Sequence, residues 1–228
     1  YLYLPAGRFT PTINGVTYDV IVFDSDTDRI PVDYIGLNGT TPVSLSAEAA
    51  LVTENTEWIG TGLIGGAEWY VVTNDVTIFD LKVLGTANLI LADGATLTAG
   101  GSDGTAIGEG HAGVEVGEGA TLRIYAQAGG TGALRAVGSE RGAGIGGNGN
   151  CSCGTVEIFG GRITAASGGS TGYGAGIGGG CFGDGGTVRI HAGTVIAVGG
   201  KGAEDIGGGY CGAGASVTVT GGSVYASE

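Results

Sequence analysis

One phrase recurs through the second half of this 228-residue chain. It reads Ala106-Ile-Gly-Glu-Gly110, Gly142-Ala-Gly-Ile-Gly-Gly147, Gly174-Ala-Gly-Ile-Gly-Gly-Gly180 and Asp205-Ile-Gly-Gly-Gly209. Its isoleucines are 38, 32 and 29 residues apart (107 to 145, 145 to 177, 177 to 206). A repeat of that period marks stacked supersecondary units, none of which can bury an apolar face alone. The phrase therefore constrains the architecture far more than it constrains the chemistry.

Composition agrees with a stacked, ordered chain. Glycine contributes 52 residues and proline 4, yet 42% of the residues are hydrophobic, which is neither collagen-like nor disordered. No run approaches the ~20 apolar residues of a membrane-spanning helix. The net charge of −13 disfavours nucleic acid and anionic membranes, which call for Lys/Arg patches. Methionine is absent, so Tyr1 reads as the start of a processed mature form or of a cut piece.

Three segments align without gaps: Thr155-Val-Glu-Ile-Phe-Gly-Gly-Arg-Ile-Thr-Ala165, Thr187-Val-Arg-Ile-His-Ala-Gly-Thr-Val-Ile-Ala197 and Ser216-Val-Thr-Val-Thr-Gly-Gly-Ser-Val-Tyr-Ala226. A looser copy, Ala120-Thr-Leu-Arg-Ile-Tyr125, is followed by an insertion and Leu134-Arg-Ala136. Side chains alternate across a strand. Val156/Ile158, Val188/Ile190, Val217/Val219 and Leu122/Ile124 are thus expected to point inward, as are Ile163/Ala165, Val195/Ala197 and Val224/Ala226 on a second strand. The lone isoleucine of each phrase supplies a third inward side. Three short strands per coil with glycine at the corners specify an all-β, right-handed parallel β-helix. The glycines are not a phosphate loop, because no Lys-Ser/Thr and no helix follows them.

The phrases Gly-Ala-Gly-Ile-Gly-Gly-Gly, Leu89-Ile-Leu-Ala-Asp-Gly-Ala-Thr-Leu97 and Gly-Gly-Thr-Val-Arg-Ile190 resemble the Gly-rich β-helix repeats of secreted or wall-attached bacterial surface proteins. More loosely, the chain is similar to carbohydrate-binding β-helix proteins that share a fold with pectin-degrading lyases. The resemblance spans residues 69–228. It implies an extracellular or cell-surface setting and leaves function open, since this fold carries adhesins, stalks and enzymes alike.

Residues 1–66 differ from the rest and hold all four prolines. Tyr18-Asp-Val-Ile-Val-Phe23 is the clearest strand, and Leu45-Ser-Ala-Glu-Ala-Ala-Leu51 reads as a short helix or a cap. The expected organisation is an N-terminal β-rich cap or subdomain over residues 1–66 and a parallel β-helix over residues 67–228. A cap protects the open edge of a first coil.

Cys151, Cys153, Cys181 and Cys211 each follow an Ile-Gly phrase closely, so stacking is expected to gather them on one corner, with His111 one coil earlier. Three readings stand: disulfides, as an extracellular setting favours, a structural zinc site of four thiolates, or free buried thiols. Cys181 and Cys211 on adjacent coils would suit a disulfide, which strands Cys151-Ser-Cys153. Asp24-Ser-Asp26-Thr-Asp28 imitates the opening of a calcium loop, but Arg29 and Ile35 stand where the loop needs Gly and Glu. It is read as an acidic turn, with calcium binding as the alternative. No cofactor is required by this reading.

No convergent acid/base set is visible. Glu157 and Arg189 are expected to form a surface ion pair, and His191 to face solvent on its strand. Phe159, Tyr173, Phe182, Tyr210 and Tyr225 fall on outward or corner positions of the last coils. Aromatic faces stack on sugars and are enriched in recognition surfaces, so these five are the candidate ligand-binding residues. The expected function is adhesion or glycan binding without catalysis, the partner being a host or plant polysaccharide or another surface protein. The alternatives are a polysaccharide lyase or glycoside hydrolase, and a stalk or filament subunit that self-associates through its end coils.

Overall fold

The computed structural model describes residues 29–62, 68–100, 110–168 and 172–226, together with the short strands Gly7–Phe9, Thr12–Ile13, Val16–Thr17 and Val20–Val22. Asp24, Asp26 and Asp28 lie outside the described residues, as do Ile107 and the expected boundary at residue 66.

The chain is a parallel β-helix. Each coil contributes one strand to each of three sheets, and every strand pairs in parallel with its counterpart one coil on. The first sheet stacks Trp69–Val72, Thr86–Leu91, Thr121–Ala126, Thr155–Ile158, Thr187–Ile190 and Ser216–Val219. The second stacks Val76–Ile78, Thr96–Gly100, Ala133–Val137, Arg162–Ala166, Thr194–Val198 and Ser223–Ala226. The third is built of two- and three-residue strands, from Trp58–Ile59 and Leu81–Val83 to Val114–Glu115, Ile145–Gly146, Ile177–Gly178 and Ile206–Gly207.

The expected inward residues form one continuous core. Leu122, Ile124, Val156, Ile158, Ile163, Ile145, Ile177, Val188 and Ile190 are all buried. At the last described coil the same positions are open: Val217 is 44% and Val219 51% exposed, with no strand above them among the described residues.

The repeated phrase is a closed ring of backbone. The amide of the residue two before each isoleucine donates to the carbonyl two after it: Ala143 to Gly147, Ala175 to Gly179 and Glu204 to Gly208, at 2.9 to 3.0 Å. Two glycines are required for a physical reason. Gly146 and Gly178 have φ of 141° and 143°, and a Cβ on either would land on the carbonyl oxygen of the glycine one coil above. In the earlier coil the residue paired with Ile145 is Val114, not Ile107. The inward positions of that sheet are therefore 31, 32 and 29 residues apart (114 to 145, 145 to 177, 177 to 206), a more even period than the phrase alone indicates.

The segment Leu45–Leu51, expected as a helix or cap, belongs to the strand Thr41–Leu51. It pairs antiparallel along its length with Arg29–Asn38, and its end, Ala50-Leu51, joins the first sheet beside Tyr70-Val71. Ile35 of the hairpin bridges to Ala126. Since Thr86–Leu91 pairs with both Trp69–Val72 and Thr121–Ala126, these five strands close on themselves. They enclose a second core of Val32, Tyr34, Ala49, Val71, Ile90 and Tyr125, so the hairpin covers the outer face of the early coils.

Candidate functional site

The coil offsets of 32 and 29 residues decide what stands on what. Cβ atoms built on Gly180 and Gly209 meet the carbonyls of Asn148 and Gly180, and those built on Gly183 and Gly212 meet the carbonyls of Cys151 and Gly183. Between these fixed columns, Cys181 lies under Tyr210, while Phe182 stands between Asn150 and Cys211. The backbone confirms the second column. Asn150, Phe182 and Cys211 are the three non-glycine residues with positive φ among the described residues, at 67°, 65° and 60°.

The four cysteines thus share a corner and occupy four different registers on it. All four are free thiols, and no three His, Cys, Asp or Glu side chains among the described residues form a group that could hold a metal ion. Cys153 turns into the main core beside Gly146, and burial pushes its thiol up to about 12, so it is a neutral packing group. His111 is misplaced by the sequence reading. It lies beneath Gly142, ahead of the inward residue and away from the cysteine registers, with its ring 3.3 Å from Asp80.

The five candidate aromatic residues divide into three places. Phe159 belongs to a row on the outer face of the first sheet. Tyr125 and Phe159 stack at 4.7 Å and 6°, Phe159 and His191 at 4.6 Å and 20°, and the His191 ring meets the Thr220 hydroxyl at 3.0 Å. Tyr34 and Trp69 cover the lower end of the row. Two residues before Phe159 on the same face, Glu157 accepts from Arg123 at 2.7 Å and from Arg189 at 3.1 Å. The expected pair is therefore a triad. Burial alone would raise the Glu157 carboxyl; the Arg123 guanidinium, and then Arg189, hold it below its ordinary value. Tyr225 stands alone on the second sheet, beside Ile196.

Tyr173, Phe182 and Tyr210 converge. They line a cleft of about 440 Å³ with Glu140, Arg141 and Cys181. Because the third-sheet strand is two residues long, the segments before and after the phrase fold against each other. Four backbone bonds fix them: Tyr173 N–H to Glu140, Cys181 N–H to Arg141, Tyr210 N–H to Tyr173, and Phe182 N–H to Tyr210, at 2.6 to 2.8 Å. The Tyr210 ring stands edge-on to Tyr173 at 5.5 Å and 67°, and to Phe182 at 5.9 Å and 73°. The Arg141 guanidinium carbon lies 5.9 Å from the Phe182 ring centre. The neighbouring Cys211, first by hydrogen bonding and then by charge, holds the Tyr210 phenol above its ordinary value.

The position of Phe182 is costly. A bulky residue in the left-handed region is a backbone outlier, and its equivalent one coil earlier is Asn150, a residue type that tolerates it. Phe182 is nevertheless 52% exposed, so core packing does not explain its place. Strain of this kind accumulates at functional sites. Glu140 and Arg141 are the cleft residues that sequence reasoning missed. The available signal was an adjacent pair of opposite charges just before a phrase, but its significance depends on the backbone ring that folds both flanks together.

Comparison with protein-family models, with curated proteins and with solved structures found no match, so the site is read from its own geometry.

Proposed function

We propose that this chain is a non-catalytic recognition module of an extracellular or cell-surface protein, and that it binds a glycan in the corner cleft. The observation that carries this reading is the convergence of Tyr173, Phe182 and Tyr210 on one cleft, with Phe182 held there at φ 65°. Aromatic rings offer sugars a stacking surface with one wet edge, and Tyr210, 40% exposed, presents both face and hydroxyl. The resemblance of the coils to surface-protein repeats supports the extracellular setting. Among the described residues Glu140 is the one carboxylate lining the cleft, whereas glycoside hydrolysis uses two, which favours binding without turnover.

A glycan array followed by titration calorimetry tests the proposal. At least one oligosaccharide is expected to bind, with Tyr210→Ala weakening it tenfold or more. An empty array would sink the reading, and so would a bound glycan that is indifferent to Tyr210→Ala and Tyr173→Ala.

A further inference from the structure

The cleft holds two opposite charges that no other described residue pairs with. Glu140 and Arg141 are both exposed, both line the cleft, and neither belongs to an ion pair among the described residues. Two other charged groups on the coils are matched, Arg123–Glu157–Arg189 and Lys82–Glu115. Arg141 lies over Phe182, which leaves its N–H fork without a hydrogen-bond acceptor among the described residues. An unengaged guanidinium fork suits a carboxylate or phosphate. Tyr173 and Tyr210 stand at 67° to each other and line the same cleft as Glu140. Perpendicular rings and a carboxylate in one cleft suit an alkylammonium group, which is attracted to aromatic faces and to negative charge together. The net charge of −13 adds a long-range attraction for the cationic end.

We infer that the ligand unit taken by this cleft is zwitterionic, with an ammonium end against Tyr173, Tyr210 and Glu140 and an anionic end on Arg141. This rests on the cleft being a recognition site, as proposed above, and specifies the chemical class of what it recognises. A neutral sugar would leave both charges unmatched. A polyanionic glycan would engage Arg141 but meet Glu140 and a chain of net charge −13.

Phosphocholine, choline and inorganic phosphate serve as probes, each titrated calorimetrically into the intact chain. Phosphocholine is expected to bind at least tenfold more tightly than either half. Glu140→Gln is expected to remove the advantage over phosphate while leaving phosphate binding as it was. Arg141→Gln is expected to remove the advantage over choline while leaving choline binding as it was. Both side chains are exposed, and unchanged melting temperatures would confirm that the variants fold. Equal affinity for all three probes would overturn the inference, as would equal weakening of both halves by both variants. Neutral oligosaccharides bound in the cleft without any response to phosphocholine would overturn it while leaving the recognition reading intact. The same headgroup occurs on glycans and on lipids, and flotation with phosphatidylcholine vesicles separates these sources. Protein that binds phosphocholine and stays with the soluble fraction supports a glycan-borne group; flotation without binding of soluble phosphocholine overturns the inference.

Discussion

Replacing Phe182 with Asn, the residue that holds the same corner position one coil earlier, separates a recognition side chain from a structural one. The backbone there has φ 65°, a conformation that costs an ordinary residue roughly 1–2 kcal/mol and Asn less. Relief of that strain favours the variant. Against it stand the edge contact with Tyr210, worth about 0.5–1.5 kcal/mol, and the Arg141 contact, worth about 0.5–1 kcal/mol at an exposed site. These opposing terms place the net change within about 1.5 kcal/mol of zero, whereas deleting a core aromatic costs about 3–5 kcal/mol. Urea denaturation followed by circular dichroism measures the stability, and calorimetric titration of an array-identified glycan measures binding. The expected outcome is near-wild-type stability with at least a tenfold loss of affinity, about 1.4 kcal/mol. A loss of 3 kcal/mol or more in stability would refute the reasoning, because Phe182 would then be a packing residue whose exposure misleads.

Other perturbations test the frame that holds the cleft. Gly178→Ala places a methyl group on the Gly207 carbonyl and disturbs the Gly179-to-Gly207 hydrogen bond, so strain and the lost bond are expected to cost about 2–4 kcal/mol together. Gly94→Ala, also at positive φ but with open space around it, is expected to cost about 1 kcal/mol in the same urea assay. Glu157 has a depressed native pKa, so its contribution is present above the unfolded carboxylate range and lost as pH falls through the native value. Acid titration of the melting temperature should show that loss, and Arg123→Ala should shrink it. Cys153 has the opposite sign: its thiol is raised from 9.0 to about 12, so stability is expected to fall as pH rises between those values, and Cys153→Ala should remove that part of the alkaline loss.

The inward columns were legible in the sequence because a strand has a side-chain period of two and the coils keep fixed offsets. Val156, Val188 and Val217 can be superimposed by counting alone. The same counting, applied to the cysteines, shows why they do not stack. They lie 6, 8, 4 and 5 residues past the preceding isoleucine, which is four registers rather than one. Leu45–Leu51 misleads because Ala and Glu are good helix formers locally, while pairing with Arg29–Asn38 is a long-range term that propensity does not see. Ile107 misleads because an identical dipeptide lies seven residues before the residue that takes the inward place, Val114. The cleft was half legible. Three of its aromatic residues stood out as corner residues, but Glu140 and Arg141, which like Tyr173 precede a phrase, meet Phe182 and Tyr210 only once the backbone ring folds both flanks together.

The location of the site is the claim on which the functional account depends, and hydrogen–deuterium exchange with and without a bound glycan tests it most directly. Protection is expected in residues 139–142, 172–174, 180–183 and 209–211, with none on the outer face of the first sheet. Protection confined to residues 157–159 and 189–191 would place recognition on the Phe159–His191 row and contradict the account.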